Sequence, residues 1–130
     1  MKIRRTIEDG LFSDFIRKRA MLRGNACEYC GKAVTSYQEL QCSHFVGRRS
    51  ASTRFDPDNC VGVCFHCHQW FDEHHHEHNE FYKKLLGSER FEQLIIRGNI
   101  ILKPNPMRNP ENKKKFREEM RRKIKELDND

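Results

Sequence analysis

No stretch of this 130-residue chain approaches the roughly 20 consecutive apolar residues that span a bilayer. Hydrophobic residues make up only 36% of it and charged residues 34%. The core is therefore small, of the kind that usually needs a staple. The opening Met1, Lys2, Ile3, Arg4, Arg5 runs on into Thr6, Glu8 and Asp9, where a signal peptide would carry its apolar stretch. These absences predict a chain that neither spans a membrane nor is secreted, and so an intracellular location. Proline is also scarce. Three of the four prolines fall within residues 103–110, which reads as a linker. The length accommodates one modest domain.

Cysteine is not scarce. Six occur, and without a secretory signal metal binding is favoured over disulfides. Cys27-x-x-Cys30 and Cys64-x-x-Cys67 can each grip an ion from a tight turn, and two such pairs complete a tetrahedral four-thiolate site. The 33 residues between the pairs exceed the short zinc-ribbon spacing. The ion would thus bridge a loop-strand-loop-strand insert. Four thiolates leave no position for water, so the expected ion is a structural Zn²⁺, against the alternative of redox dithiols. Cys42 and Cys60 stand outside the pairs and read as small buried hydrophobes.

The net charge of +6 is unevenly placed. Residues 1–26 carry +4, residues 27–102 carry −2 and residues 103–130 carry +4. Basic ends on a neutral middle point to nucleic acid, through phosphate contacts that release counterions. The plainer reading is two solvated charged helices.

Thr6 with Asp9 forms a capping-box signature, although Gly10 argues for a helix start nearer Leu11. Leu11, Phe12, Phe15, Ile16 and Ala20 recur at helical spacing. Gly24-Asn25 ends that helix. A strand is predicted over residues 37–45, an ordered loop over 46–58 and a short strand over 59–63. One helix should run from Phe65 through Glu77. Phe81, Tyr82, Leu85 and Leu86 predict another, stopped by Gly87, and Ser88 should cap a third carrying Phe91, Leu94 and Ile95. Residues 109–127 form a last amphipathic helix with Phe116, Met120, Ile124 and Leu127 on one face.

The chemistry-bearing residues lie between and just after the knuckles. His44 ends the first strand, Asn59 opens the second, and His68 follows Cys67 in the first turn of a helix. This is the order of an HNH site. Phosphodiester hydrolysis needs a base titrating near neutrality, which histidine supplies, and a divalent cation to neutralise the phosphate. His44 is thus the expected general base, His68 a ligand of a catalytic Mg²⁺, Mn²⁺ or Zn²⁺, and Asn59 the orienting group. Arg48, Arg49 and Arg54, in the adjacent loop, suit phosphate contacts. Lys113, Lys114, Lys115, Arg117 and Arg121 of the terminal helix could lie against DNA. Trp70 and Phe71 read as core.

The stretch from Leu40 to Arg49, then Arg54-Phe55-Asp56-Pro57-Asp58-Asn59, then Cys64-Phe65-His66-Cys67, resembles the phage Rap/NinG recombination-protein family, which shares a Gln-x-small-His-Phe block, an Arg-Phe-Asp-x-x-Asn block and a closing CxxC. The likeness extends over about residues 11–98. It implies an α+β fold: a small ββα-metal (HNH) core over about 37–78, stapled by the zinc knuckles 27–30 and 64–67. Flanking helices would complete an HNH nuclease domain over 1–102, with the linker at 103–110 and a basic helix at 111–130. It implies an endonuclease acting on branched or recombination DNA intermediates in the cytoplasm of a phage-infected bacterial host; a homodimer would suit symmetric branch cleavage. Two departures stand out. His68 replaces a common Asn, and the positions where HNH sites often carry Asp hold Ser43 and Gln41. Gln41 could offer its amide oxygen, although strict strand alternation points it away from His44. Asp72, one turn after His68 on the same helical face, with His76 a further turn on, is the other candidate ligand. The competing reading is a non-catalytic zinc-stabilised module that binds DNA.

Overall fold

The computed structural model describes residues 3–129. Helix α1 spans Ile7–Gly24. The Thr6 hydroxyl accepts from the Asp9 amide at 3.1 Å, and the Asp9 carboxylate accepts from the Thr6 amide at 2.8 Å. This closed box starts the helix at Ile7, ahead of Gly10, because two otherwise orphaned donors are satisfied together. Asn25 ends it in the left-handed conformation, φ 49°.

The predicted strand over 37–45 is shorter than expected. Glu39 accepts hydrogen bonds from the Thr35 and Ser36 amides, so Tyr37–Glu39 folds into one 3₁₀ turn. Strand β1 is Gln41–His44. Asn59 likewise falls in a 3₁₀ turn, Pro57–Asn59, capped by Asp56. Strand β2 is then Cys60–Val63. The two strands pair antiparallel, with Gln41 opposite Val63 and His44 opposite Cys60.

The single helix expected over 65–77 is two. Helix α2 spans Phe65–Glu73 and α3 spans His75–Leu86. His74 leaves helical geometry at φ −131°, ψ 67°. Its Nδ1 bonds the Trp70 carbonyl at 2.8 Å and its ring stacks on the Trp70 indole. That break removes His76 from the face carrying His68 and Asp72. Gly87, at φ +83°, separates α3 from α4, Ser88–Gly98. Gly87 is the N-cap and Ser88 the first helical residue, with no side-chain cap. Helix α5 spans Pro110–Asp128, its N-cap Asn109 accepting from the Glu111 and Asn112 amides.

The two-stranded sheet separates two cores. On one side Val61 and Val63 pack with Leu40, which leads into β1, and with Phe71, Tyr82 and Phe91 from α2, α3 and α4. On the other, Cys60 packs with Phe12 and Ile16 of α1 and Met120 of α5. Helix α1 rides so close to β2 that a Cβ on Gly62 would sit 2.8 Å from the Ala20 Cβ. Helix α5, beyond the proline-rich stretch, is thus part of the packed body. No helix among the described residues is long and apolar enough to cross a membrane.

Candidate metal and active site

The four knuckle cysteines converge. Cys27, Cys30, Cys64 and Cys67 hold their sulfurs within 4.8 Å of one another. The turn at Cys27–Lys32 is closed by the Cys27 amide bonding the Lys32 carbonyl, and Cys64 is the N-cap of α2. Tetrahedral Zn–S bonds of about 2.3 Å require sulfurs about 3.8 Å apart, and Cys30 and Cys64 lie 3.9 Å apart. The Cys64 amide donates to the Cys27 sulfur at 3.2 Å. Burial disfavours a Cys27 thiolate, but backbone amides from Cys30, Cys64 and Tyr29 outweigh it and lower its pKa. Burial and the neighbouring sulfurs push Cys67 the other way, far above an ordinary thiol. Four crowded sulfurs, some in amide cradles and some unable to ionise together, fit a cation that neutralises them, and structural zinc is the ion this set suits.

A cavity of about 500 Å³ runs along the free edge of β1. Its lining takes His68 from α2, Leu40, Gln41, Cys42 and His44 from β1 and its approach, Arg48 from the following loop, and Arg5, Asp9, Ser13 and Arg17 from α1 and its N-terminal approach. Because the cavity straddles the strand edge, residues of both sheet faces reach it. Gln41 and His44 therefore share it without a bulge, contrary to strict alternation.

Within the cavity His44 is largely buried, and its Nε2 lies 3.0 Å from the Arg54 carbonyl oxygen. A carbonyl only accepts, so Nε2 carries the proton and Nδ1 keeps the lone pair. Burial lowers the His44 pKa, and the Arg48 cation lowers it further. Asn59 is fully buried. Its Oδ1 accepts from the Val46 amide at 2.7 Å, and its Nδ2 donates to the carbonyls of Val46 and Thr53 at 2.8 and 3.1 Å. It thereby ties both limbs of the loop whose Arg54 carbonyl holds His44. Across the strand edge, His68 Nδ1 donates to Gln41 Oε1 at 2.6 Å, which leaves His68 Nε2 as an acceptor. The His68 amide bonds the Cys64 carbonyl, so the second knuckle sets its place.

Residues 27–80 match the family model of the HNH endonucleases. No curated protein and no solved structure matches the chain. The matched segment holds both knuckles, both strands, Asn59, His44 and His68.

The structure distributes the other anticipated residues around this segment unevenly. Asp72 is exposed and does not line the cavity. Arg48 does, while Arg54 places its guanidinium fork on Asp9 through Nε and Nη2. Arg49 is exposed beside it in the loop. On α5, Lys114, Lys115 and Arg121 are exposed, Lys113 is half-buried, and Arg117 pairs with Glu8 at 3.2 Å. In the histidine-rich run, His78 stacks on Phe71, and burial pushes its pKa down to about 4.

Sequence reading missed the α1 side of the cavity. Asp9 was legible as a helix cap, yet it also pairs with Arg54 and approaches Arg48 at 3.6 Å. Burial opposes its ionisation, but hydrogen bonds from Arg54 and the Thr6 amide win, and its pKa is lowered. No local signal marks Arg5, Ser13 or Arg17, because only the packing of α1 on β2 brings them to β1.

Proposed function

We propose that this protein is a metal-dependent DNA endonuclease with His44 as general base. The observation that carries the reading is the hydrogen bond from His44 Nε2 to the Arg54 carbonyl. It fixes the tautomer with Nδ1 basic, in a cavity that also holds His68 and Gln41. A water in the cavity gives its proton to Nδ1 as its oxygen attacks the phosphorus, a role typically worth ~10²–10⁴-fold in rate. His68 Nε2 is the group that would hold a divalent cation, whose chemistry is to neutralise the phosphate and stabilise the leaving oxygen, while Gln41, bonded through Oε1 to His68 Nδ1, sets the ring's tautomer and direction. Arg5, Arg17 and Arg48 line the same cavity and grip the phosphates on either side. Asn59 acts through the loop and is a positioning residue. The likeness to the phage recombination family makes branched DNA the preferred substrate in this reading, in a phage-infected bacterium, with symmetric branch cleavage by a dimer.

One observation favours a second reading, a zinc-stabilised module that binds DNA without cutting it. Among the described residues Asp9 is the only carboxylate lining the cavity, and Arg54 occupies it. The donors left for a catalytic cation are neutral. His68→Ala and Gln41→Ala separate the two readings. The nuclease reading expects a raised requirement for Mg²⁺ or Mn²⁺ in cleavage of labelled DNA, with binding retained. Cleavage by both variants at every metal concentration as in the wild type would remove His68 as the ligand and Gln41 as the residue that orients it.

A further inference from the structure

Besides the knuckles, one more group among the described residues brings three metal-ligating side chains together. Cys42, His44 and Cys60 hold their ligand atoms within 4.8 Å of one another. The strand register explains why. Cys42 and His44 are two residues apart on β1 and so share a face, and Cys60 pairs directly with His44 across the sheet. That face turns toward α1, where Cys60 is buried beside Phe12 and Ile16. Cys42 and His44 open onto the cavity. The sequence reads both cysteines first as small buried hydrophobes, with a ligand role as the rarer alternative, and their convergence with His44 depends on the strand register.

We infer that Cys42, His44 and Cys60 form a second site for a thiophilic divalent cation such as Zn²⁺, and that filling it withdraws His44 from catalysis. Two thiolates and an imidazole are a favoured donor set for zinc, and three protein ligands leave one position open toward the cavity. With Nε2 engaged by the Arg54 carbonyl, Nδ1 is the His44 nitrogen available as a ligand. A bound cation therefore takes the same lone pair that would accept the proton of water. Ligation releases the two thiol protons to solvent and makes the set neutral overall. Arg19 packs against β2, its Nη2 donating to the Cys60 carbonyl at 2.8 Å. The cation site stands on this geometry alone; the inhibition also rests on His44 being the general base.

The test uses the full chain with its knuckle zinc in place, under reducing conditions, titrated with Co²⁺ beside Cys42→Ala. Thiolate-to-cobalt charge-transfer absorption reports sulfur ligation, and an ion held by His68 produces none. The expected result is one further equivalent of Co²⁺ with that absorption in the wild type, absent or shifted to much higher Co²⁺ in the variant. Loss of a direct ligand should weaken binding by at least the roughly 10- to 100-fold seen for outer-shell partners. Equal absorption in both chains overturns the site. Far-UV circular dichroism checks that the variant folds, and Cys42→Ser replaces it if it does not. In a second arm, Zn²⁺ is added to a Mg²⁺-supported cleavage reaction. The wild type should lose activity at concentrations that spare Cys42→Ala. Sulfur-ligated Co²⁺ in the wild type together with cleavage that saturating Zn²⁺ leaves untouched would keep the cation site and refute the withdrawal of His44.

Discussion

His44 Nε2 donates to the Arg54 carbonyl oxygen at 3.0 Å, while the Arg54 guanidinium grips Asp9 of α1. One loop residue thus fixes the tautomer of the proposed base with its backbone and the wall of the cavity with its side chain. The sign of the pH dependence follows. A base works when neutral, and burial together with Arg48 holds the His44 pKa below the ordinary 6.5. Cleavage should stay on its plateau down through pH 6.5 and fall only below it. Single-turnover rates between pH 4.5 and 8, on the order of the range that brackets a histidine, measure this limb. Arg48→Ala should move it upward, because a repelling cation is lost. A limb above pH 6.5 in the wild type would contradict the burial argument.

His78 predicts a separate, structural pH effect. Its folded pKa, about 4, lies below the 6.5 of an exposed histidine. The stability from its neutral ring stacked on Phe71 is complete above pH 6.5 and is lost as pH falls toward 4. The loss should reach up to about 3 kcal/mol. Urea denaturation at pH 7 and at pH 4.5 measures it, and His78→Phe should remove much of the difference. An unchanged difference would shift the cause to other groups.

The zinc knuckles should behave as a folding element. Structural zinc in small domains contributes on the order of 10 kcal/mol, and an ion held by these four sulfurs would join the Cys27–Lys32 turn to the start of α2. A strong chelator, or Cys67→Ser, should abolish the cooperative thermal transition seen by circular dichroism. A retained transition in zinc-free protein would show that the two cores suffice without the staple.

Asn59→Ala removes three side-chain hydrogen bonds of a buried residue, one of them fully buried, and leaves the Val46 amide and the Val46 and Thr53 carbonyls short of a partner. Each buried group so orphaned costs about 1–3 kcal/mol, so the urea midpoint should drop by more than the equivalent of about 2 kcal/mol. Cleavage should fall too, through a loosened Arg54 carbonyl, with substrate binding less affected than turnover. A destabilised variant with full turnover would detach the loop from the chemistry.

The knuckles, the Thr6–Asp9 box and the α1 stripe were all legible in the sequence, because each depends on spacing within a few residues. So was the order His44, Asn59, His68. What escaped the sequence depends on contacts between distant segments or on side chains that override propensity. Glu39, capped back onto the Thr35 and Ser36 amides, folds residues 37–39 into a 3₁₀ turn and so shortens β1, and the His74–Trp70 stack breaks a helix that composition alone would continue. Arg5, Ser13 and Arg17 reach the cavity only because Gly62 lets α1 settle onto β2. The Cys42–His44–Cys60 group needs the strand register, which periodicity does not supply.

On α5, deletion would expose Met120 and Phe116 and so confound any test of its charges. Lys114, Lys115 and Arg121, which are exposed, can instead be replaced together by alanine. If all three touch phosphates, the salt slope of DNA binding should fall by about 3, near 0.9 per contact. An unchanged slope would leave α5 as packing for α1 alone.

The most direct test of the central claim is cleavage of a labelled four-way junction and of the matching linear duplex in Mg²⁺ or Mn²⁺, by wild type and by His44→Ala, with binding measured in parallel. The account predicts cleavage by the wild type, stronger on the junction, and a loss of at least about 10²-fold in His44→Ala with binding preserved. Binding without cleavage by the wild type, or undiminished cleavage by His44→Ala, would contradict it.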